Sequence, residues 1–282
     1  MADDRERWAL ILGASSGMGE ATGIALARAG YRIFGIHLDS RAGLPHVEEV
    51  KAAIEAAGSE ALFLNMNAAS EEKRAEAISR LAERFEVSRA AGRQPHLRVV
   101  MHSLAFGTLL PFLAKSPADA ISRRQLEMTL DVMANSLVYW VQDLWRAGLL
   151  GQGSKVFAMT SEGSNRMIPS YGAVSAAKVA LESHCRQLAM ELAHHGAGVA
   201  VNAIRAGVTD TPALRKIPGA ARLIEITLNR NPNRRLTSVE DVADAVVTLA
   251  ATDSDWISGN VINVDGAEFI TANVDGEGHD TG

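Results

Sequence analysis

The sequence predicts an α/β protein, a doubly wound parallel sheet of seven strands with helices on both faces. Two observations carry that prediction. Seven short apolar runs of strand length alternate with Ala-rich segments whose apolar residues recur at helical spacing. The strand segments are near-continuous apolar runs, the pattern of parallel strands covered on both faces.

The predicted strands, in order, are "WALILG" (8–13), "YRIFGIH" (31–37), "ALFLNM" (61–66), "LRVVMHS" (97–103), "KVFAMTS" (155–161), "GVAVNAI" (198–204) and "NVINVDG" (260–266). Segments such as "GEATGIALARAG", "VEEVKAAIEAAG" and "EEKRAEAISRLAERF" supply the helices between them. Gly30, Gly58 and Gly196 stand where helix C-terminal glycines belong. The stretch "EVSRAAGRQPH" (86–96) reads as a solvated insertion before the fourth strand, and the carboxyl end, 271–282, as a mobile tail. No internal repeat or interdomain linker is visible, and the length suits one large domain or two modest ones.

Composition bounds the function classes. A chain of 282 residues, 47% hydrophobic and 22% charged, buries a sizeable core. Its single cysteine, Cys185, makes neither an intramolecular disulfide nor a Cys-rich zinc site. The start, "MADDRERWALILG", lacks the basic segment and long apolar core of a signal peptide, so the expected location is cytoplasmic. No window approaches ~18 uninterrupted apolar residues. A net charge of −5 gives no electrostatic reason to expect nucleic acid or an anionic membrane. His194 and His195 read as the polar end of a helix, and no spacing suggests a metal ligand set.

The first chemical signal is "LGASSGMGEATGIALARAG", in which Gly13, Gly17 and Gly19 fall between an apolar strand and an apolar-periodic helix. That context suits a Rossmann-type dinucleotide site: the glycines allow a tight turn and close approach to a pyrophosphate, and the helix start offers unpaired N–H groups. Ser15, Ser16 and Met18 lie within the same turn and join the expected cofactor contacts.

The spacing G-x-x-x-G-x-G resembles the short-chain dehydrogenase/reductase family, and the resemblance runs from about Trp8 to Ile270. It implies a single domain, residues 1–282, with a substrate pocket built on the same sheet and a mobile substrate loop at about 205–235. By the same resemblance Asn67 contacts adenine and Ser103 lies above the cofactor. From the end of "VNAIRAG" onward, Gly207, Val208, Thr209 and Thr211 join the cofactor contacts, in a loop that holds the nicotinamide, with Thr209 and Thr211 on its amide or on the phosphates. A homotetramer follows too, with helices around 120–147 and 170–195 at its interface.

Departures from the common family pattern are informative. Four residues before Lys178, where that pattern places tyrosine, stands Val174. Met133 in "DVMAN" replaces an expected asparagine, and "HSLAFG" (102–107) replaces the usual "NNAG". The enoyl-[acyl-carrier-protein] reductase branch of the family carries tyrosine seven residues before lysine and often "HS" after the fourth strand. Here Tyr171 precedes Lys178 by seven and His102 precedes Ser103, within "SEGSNRMIPSYGAVSAAKVALESHCRQLAMEL". The glycine loop has the ordinary family form rather than the longer variant of many enoyl reductases.

Helix geometry allows the wider spacing, because positions seven apart differ by about 20 degrees around the axis and share a face. Side chains lean toward the N-terminus, so Lys178 is expected to reach back toward Tyr171 and a ribose between them. The expected catalytic residues are therefore Tyr171 and Lys178, with Ser161 orienting substrate or closing the strand. His102 reads more readily as a hydrogen-bonded supporting residue than as an acid or base.

The resemblance implies NAD(P)H-dependent reduction of an enoyl thioester on acyl carrier protein or coenzyme A. At the end of the second strand His37 stands where NAD-preferring relatives place an acid; Asp39 follows, and Arg41 is placed to meet a 2′-phosphate, which favours NADP(H) over NAD(H). Arg215, Lys216, Arg222, Arg230, Arg234 and Arg235 make 205–235 basic, either a steering rim for an acidic carrier or ordinary solvated faces. Two other readings stand beside this one: a carbonyl or 3-oxoacyl thioester reductase using Tyr171 and Ser161, and a non-catalytic dinucleotide sensor.

Overall fold

The computed structural model describes residues 5–272. Its strands are β1 (Glu6–Leu12), β2 (Arg32–His37), β3 (Ala61–Asn65), β4 (Pro95–His102), β5 (Lys155–Ser161), β6 (Ala200–Ala206) and β7 (Val261–Val264). The α-helices are α1 (Gly17–Arg28), α2 (Leu44–Ala56), α3 (Glu71–Ala90), α4 (Arg123–Leu130), α5 (Ser136–Arg146), α6 (Gly172–His194), α7 (Ala220–Arg230) and α8 (Val239–Ala251). All seven strands are parallel, in the order β3-β2-β1-β4-β5-β6-β7. The predicted doubly wound sheet is the observed one.

Alternation along the strands divides the core into two layers. In β1, Trp8, Leu10 and Leu12 join the layer containing Leu81, Phe85, Trp140 and Leu181, on the side of α3, α5 and α6. Ala9 and Ile11 turn the other way, to Leu26, Ile54 and Val246 of α1, α2 and α8. Both faces are apolar because both are covered.

Three expectations change in detail. Residues 86–90 are the last part of α3, not a solvated insertion. Phe85 is buried in the core and Ser88 is fully buried, donating to Glu6 Oε1 at 2.6 Å, so the apolar stripe and one polar tie extend the helix beyond the charged run. The sixth strand starts at Ala200, two residues later than expected, because Gly196 and Gly198 have φ of 65° and 63° and turn the chain first. The long helix expected near 120–147 is interrupted by a π-helical turn over Asp131–Asn135. Gly30, Gly58 and Gly196 do end helices at positive φ. Of the expected tail, residues 273–282 lie outside the described residues. Among the described residues no helix is long and apolar enough to cross a membrane.

The tightest point is the crossing between β1 and α1. Gly13 has φ of 91°, and a Cβ there would lie 2.7 Å from the Ser103 carbonyl oxygen. A Cβ on Gly19 would collide with the Gly13 carbonyl oxygen. Gly19→Ala should therefore lower the urea midpoint by an amount equivalent to about 1–3 kcal/mol. Gly58→Ala, with open space around it and only the positive φ to oppose, should cost about 1 kcal/mol. Equal effects from the two substitutions would refute the close-approach argument.

Candidate active site

The C-terminal ends of parallel strands lie on one edge, and the strand order reverses between β1 and β4, where such sheets bind ligands. At that edge Gly13 N and Ala14 N both donate to Ile36 O, at 2.8 and 3.0 Å, folding the glycine turn against β2. Ser16 precedes α1 without capping it by its side chain, and the first N–H groups of a helix have no intrahelical acceptor. Ser16 is exposed, while Ser15, Gly17 and Met18 are half-buried. Thr211 lies over this turn: a Cβ on Gly17 would be 3.5 Å from Thr211 Cγ2. The segment after β6 thus packs against the glycine turn, beside the N–H groups at the start of α1.

The rest of the post-β6 segment is fixed by its own backbone. Gly207 N donates to Val264 O at 3.0 Å, Thr209 Oγ1 donates to Gly207 O at 2.9 Å, and Leu214 N donates to Thr211 Oγ1 at 3.2 Å. Val208 and Thr209 are buried.

Toward β3, His37 is buried, with Nδ1 2.8 Å from Asp39 Oδ2. Asn65 grips the Asp39 backbone on both sides, accepting from its N–H at 3.0 Å and donating to its carbonyl at 2.9 Å. His37 therefore holds Asp39, and Arg41 is exposed two residues on. Asn67 is exposed, and its side-chain oxygen accepts from Ala69 N at 3.0 Å.

At the end of β5 the structure brings Tyr171, Ser161 and Lys178 to one place. Tyr171 immediately precedes α6, and its Oη lies 3.5 Å from Ser161 Oγ, at the outer limit of a hydrogen bond. Burial pushes the Tyr171 phenol up, and the Ser161 contact partly offsets this. Gly163 lies against the ring, since a Cβ there would be 2.5 Å from Tyr171 Cε1. Ser170, with φ of 60°, puts left-handed backbone strain directly before the tyrosine. Lys178, one face of α6 further on, donates from Nζ to Met159 O at 2.6 Å. It reaches back along β5 rather than to Tyr171 itself. Burial lowers Lys178 to about 8, against the opposing charge of Glu182 one helical turn away.

His102 is fully buried at the end of β4, next to half-buried Ser103. Its Nε2 is 2.8 Å from Ser136 Oγ, and the Ser136 hydroxyl proton goes to Val132 O at 2.7 Å. A hydroxyl has one proton, so Nε2 must donate and Nδ1 must be bare. Burial and then the Lys178 charge lower the imidazole to about 3. It is a neutral supporting residue.

The three departures in sequence turn out to be one structural unit. A Cβ on Gly107, in "HSLAFG", would meet Val174 Cγ2 at 2.8 Å, Met133 Sδ at 2.9 Å and Thr129 Cγ2 at 2.9 Å. Val174 and Met133 are both buried, so an apolar plug stands where polar residues were expected. An apolar ring packs on the residue next to Tyr171 in the chain, and further apolar side chains of the neighbouring segments are exposed. Phe112 packs on Gly172, whose Cβ would be 2.6 Å from Phe112 Cζ, and Phe106, Leu113 and Met167 are exposed.

Of the two readings of 205–235, the structure favours ordinary solvated faces, except at Arg230. Arg215 pairs with Asp210, Arg222 with Glu225 and Arg235 with Asp241. Arg230 is buried between Glu162 and Glu268. Compensation by acids leaves no continuous basic rim. Sequence reasoning also missed a second buried group, in which Glu182 Oε1 accepts from Thr160 Oγ1 at 2.7 Å and from Arg205 Nη2 at 3.1 Å. These partners come from separate elements, so no local spacing marks them.

Fold and site define a doubly wound dinucleotide-binding type with a tyrosine, serine and lysine gathered at the end of its fifth strand. The family model described as enoyl-(acyl carrier protein) reductase matches residues 13–266, and the chain belongs to that family of short-chain dehydrogenase/reductase oxidoreductases. The NADH enoyl-[acyl-carrier-protein] reductase of Aquifex aeolicus is 32% identical over 62% of this chain. That match covers 63% of the relative's length, less than two thirds. Its crystal structure superposes with a TM-score of 0.76 and 26% identity, covering 95% of this chain and 98% of that one. The 1-cyclohexenylcarbonyl-CoA reductase of Streptomyces collinus is 26% identical over 95% of this chain and 89% of its own. A short-chain dehydrogenase from Burkholderia cenocepacia, solved with NADP, shares the fold at a TM-score of 0.75 and 24% identity, covering 94% and 98% of the two chains.

The state of His102 is testable without substrate. Its folded value near 3 lies below the ordinary 6.5, so the unfolded chain binds a proton that the folded one refuses. Its contribution to stability is complete above about pH 6.5 and is lost as pH falls toward 3, at on the order of 1 kcal/mol per pH unit. His102→Gln should flatten that part of the acid-unfolding curve, and nuclear magnetic resonance should show no His102 titration between about pH 5 and 8.

Proposed function

We propose that the protein reduces the 2,3 double bond of an enoyl thioester with NAD(P)H. The observation that carries this reading is the placement of Tyr171 beside Ser161, with Val174 packed in the core at the position four before Lys178. Reduced nicotinamide dinucleotide supplies a hydride when bound. Gly13, Ser15, Ser16, Gly17, Met18 and Gly19 would hold its pyrophosphate, with Thr209, Thr211 and Ser103 on the nicotinamide side.

The protein's own residues then act on charge. Addition of hydride to the β-carbon would break the 2,3 π bond and move its electron pair to the thioester oxygen, to which the Tyr171 phenol would donate a hydrogen bond. A solvent proton taken up at the α-carbon then completes the saturated thioester. Lys178, kept close by Met159 O, donates to the ribose hydroxyls and favours the negative charge. Burial of both groups strengthens these interactions. Exposed Phe106, Phe112 and Met167 suit an apolar acyl chain. One relative is named for a carrier-protein substrate and the other for a coenzyme A thioester, so both carriers are proposed.

For cofactor choice, Asp39 Oδ2 is already engaged by His37 while Arg41 is exposed, which supports NADPH over NADH. Exposed Trp145, Val179 and Met190 on α5 and α6 support a homotetramer interface on these helices. Residues 1–282 are proposed to act as one domain.

A second reading, reduction of a 3-oxoacyl thioester, is favoured by the closeness of Ser161 to Tyr171. Initial rates with enoyl and 3-oxoacyl thioesters on both carriers, with each cofactor, separate the two. Enoyl turnover is expected to dominate, to be faster with NADPH, and to fall by about 10²-fold or more in Tyr171→Phe. Reduction of 3-oxoacyl substrates alone would overturn the enoyl reading, and cofactor binding with no turnover would establish a sensor.

The pH dependence follows from Lys178. Its value is lowered to about 8, so the ammonium is present below that pH and is lost above it. Cofactor affinity, read by NAD(P)H fluorescence, should weaken as pH rises through about 8, and Lys178→Met should bind weakly at every pH without that limb.

A further inference from the structure

Three segments far apart in sequence meet in one buried charge cluster beside the end of β5. Arg230, the last residue of α7, donates from Nη2 to Glu162 Oε2 and to Glu268 Oε1, each at 2.6 Å. Glu162 directly follows Ser161. Glu268 lies in the turn after β7, and all three side chains are buried, with residue exposures of 7% for Arg230, 7% for Glu162 and 1% for Glu268. Arg166 approaches Glu162 from the outer side at 3.6 Å. Burial pushes the Glu268 carboxyl up, and Arg230 opposes this.

Neighbouring bonds join the same three segments. Asn231, also buried, donates to Asp265 O at 3.0 Å, and Asn233 donates to Gly266 O at 3.0 Å. Arg166 donates to Phe269 O at 2.9 Å, while the Arg205 guanidinium lies 4.5 Å from the Phe269 ring. The post-β6 segment is thus pinned near its start by Gly207 and at the end of α7 by Arg230 and Asn231, with Thr209 and Thr211 between.

We infer that Arg230 is a positioning residue, whose single bridging nitrogen locks residues 207–231 against the exits of β5 and β7 and so sets where Thr209 and Thr211 stand relative to Ser161. The inference rests on the proposed reading that this segment holds the nicotinamide side of the dinucleotide. Its physical basis is an imbalance. Arg230 is the buried cation common to both carboxylates, while Arg166 meets only Glu162 from the half-exposed rim. Removing Arg230 takes away the shared charge and leaves two acids facing each other in a low dielectric, which drives the segments apart. The apolar layers of the sheet make no use of the cluster, so the release is local. Because one nitrogen makes both bonds, a lysine ammonium is able to replace it.

The test compares Arg230→Gln and Arg230→Lys by amide hydrogen exchange and by NAD(P)H fluorescence, with no enoyl substrate present. Arg230→Gln should raise exchange in residues 207–231 selectively, leave the strands protected, and weaken NAD(P)H binding at least ten-fold. Arg230→Lys should restore both readouts to within about three-fold. Unchanged affinity and loop protection in Arg230→Gln would overturn the inference, as would uniform loss of protection across the sheet or failure of lysine to restore. If Arg230→Gln does not fold, the combined Glu162→Gln and Glu268→Gln variant, which keeps shape and removes the charges, must loosen 207–231 selectively, and wild-type exchange there would overturn it. Failure of enoyl turnover with intact cofactor binding would refute the proposed reaction and leave this inference standing.

Discussion

The parting of β1 and β4 at their C-terminal ends is the constraint on which the rest depends. Ser103 N donates to Leu12 O at 2.8 Å, and beyond that bond the two chains diverge, β1 into the glycine turn and β4 into the long segment before α4. Because connections fall to opposite faces from this point, the switch point of the sheet lies here. The glycines are required by proximity: Gly13 touches the Ser103 carbonyl and Gly19 touches Gly13, so three backbones share the space of two. A side chain at either position would push α1 off the sheet and move the helix start away from the place proposed for the pyrophosphate.

Around that opening, polar groups are buried more often than the apolar sheet would predict, and each buried group is tied to a position rather than to bulk stability. Lys178 is held by a backbone carbonyl of β5, Glu182 by Thr160 and Arg205, and Glu162 with Glu268 by Arg230. Burying an ion pair seldom gains much free energy over an apolar filling, because desolvation offsets the attraction. Directional bonds nevertheless distinguish one arrangement from its neighbours, which apolar contacts do poorly. The cluster at Arg230 joins the end of α7 to the turns after β5 and β7, alongside the Asn231 and Arg166 bonds to the same turns.

The sheet was legible in the sequence because a strand buried on both faces writes itself as an unbroken apolar run, and helix ends at Gly30, Gly58 and Gly196 carry their own mark. The glycine turn was legible for the same reason: its residue types answer a local geometric demand. Boundaries failed where a tertiary contact outweighed local composition, as at Ser88, whose buried bond to Glu6 continues a helix through a charged stretch. The Glu162, Arg230 and Glu268 cluster was not legible, since three residues separated by 68 and 38 positions leave no spacing to read. Arg230 looked like one of six solvated cations until its partners were placed. His37 was read as a cofactor contact, and its buried ring bonds Asp39, a partner that the sequence reading did not give it.

The apolar plug bears most directly on the chemistry. Read singly, Val174, Met133 and the "HSLAFG" segment are three losses from a polar pattern, and losses suggest decay. Their packing against one glycine changes that inference, because Gly107 has room for no side chain of its own and accommodates both Val174 and Met133. Substituting a polar group at either position would bury an unpaired donor or acceptor against the other's apolar surface, a cost of about 1–3 kcal/mol. The three changes therefore hold one another in place. A phenol four residues before Lys178 would have to occupy the volume of Val174 inside this plug, whereas Tyr171 stands at the start of α6 beside Ser161. A hydroxyl at the helix start and an apolar side chain at the position four before Lys178 thus form one packing arrangement, and within it Lys178 stays anchored to β5.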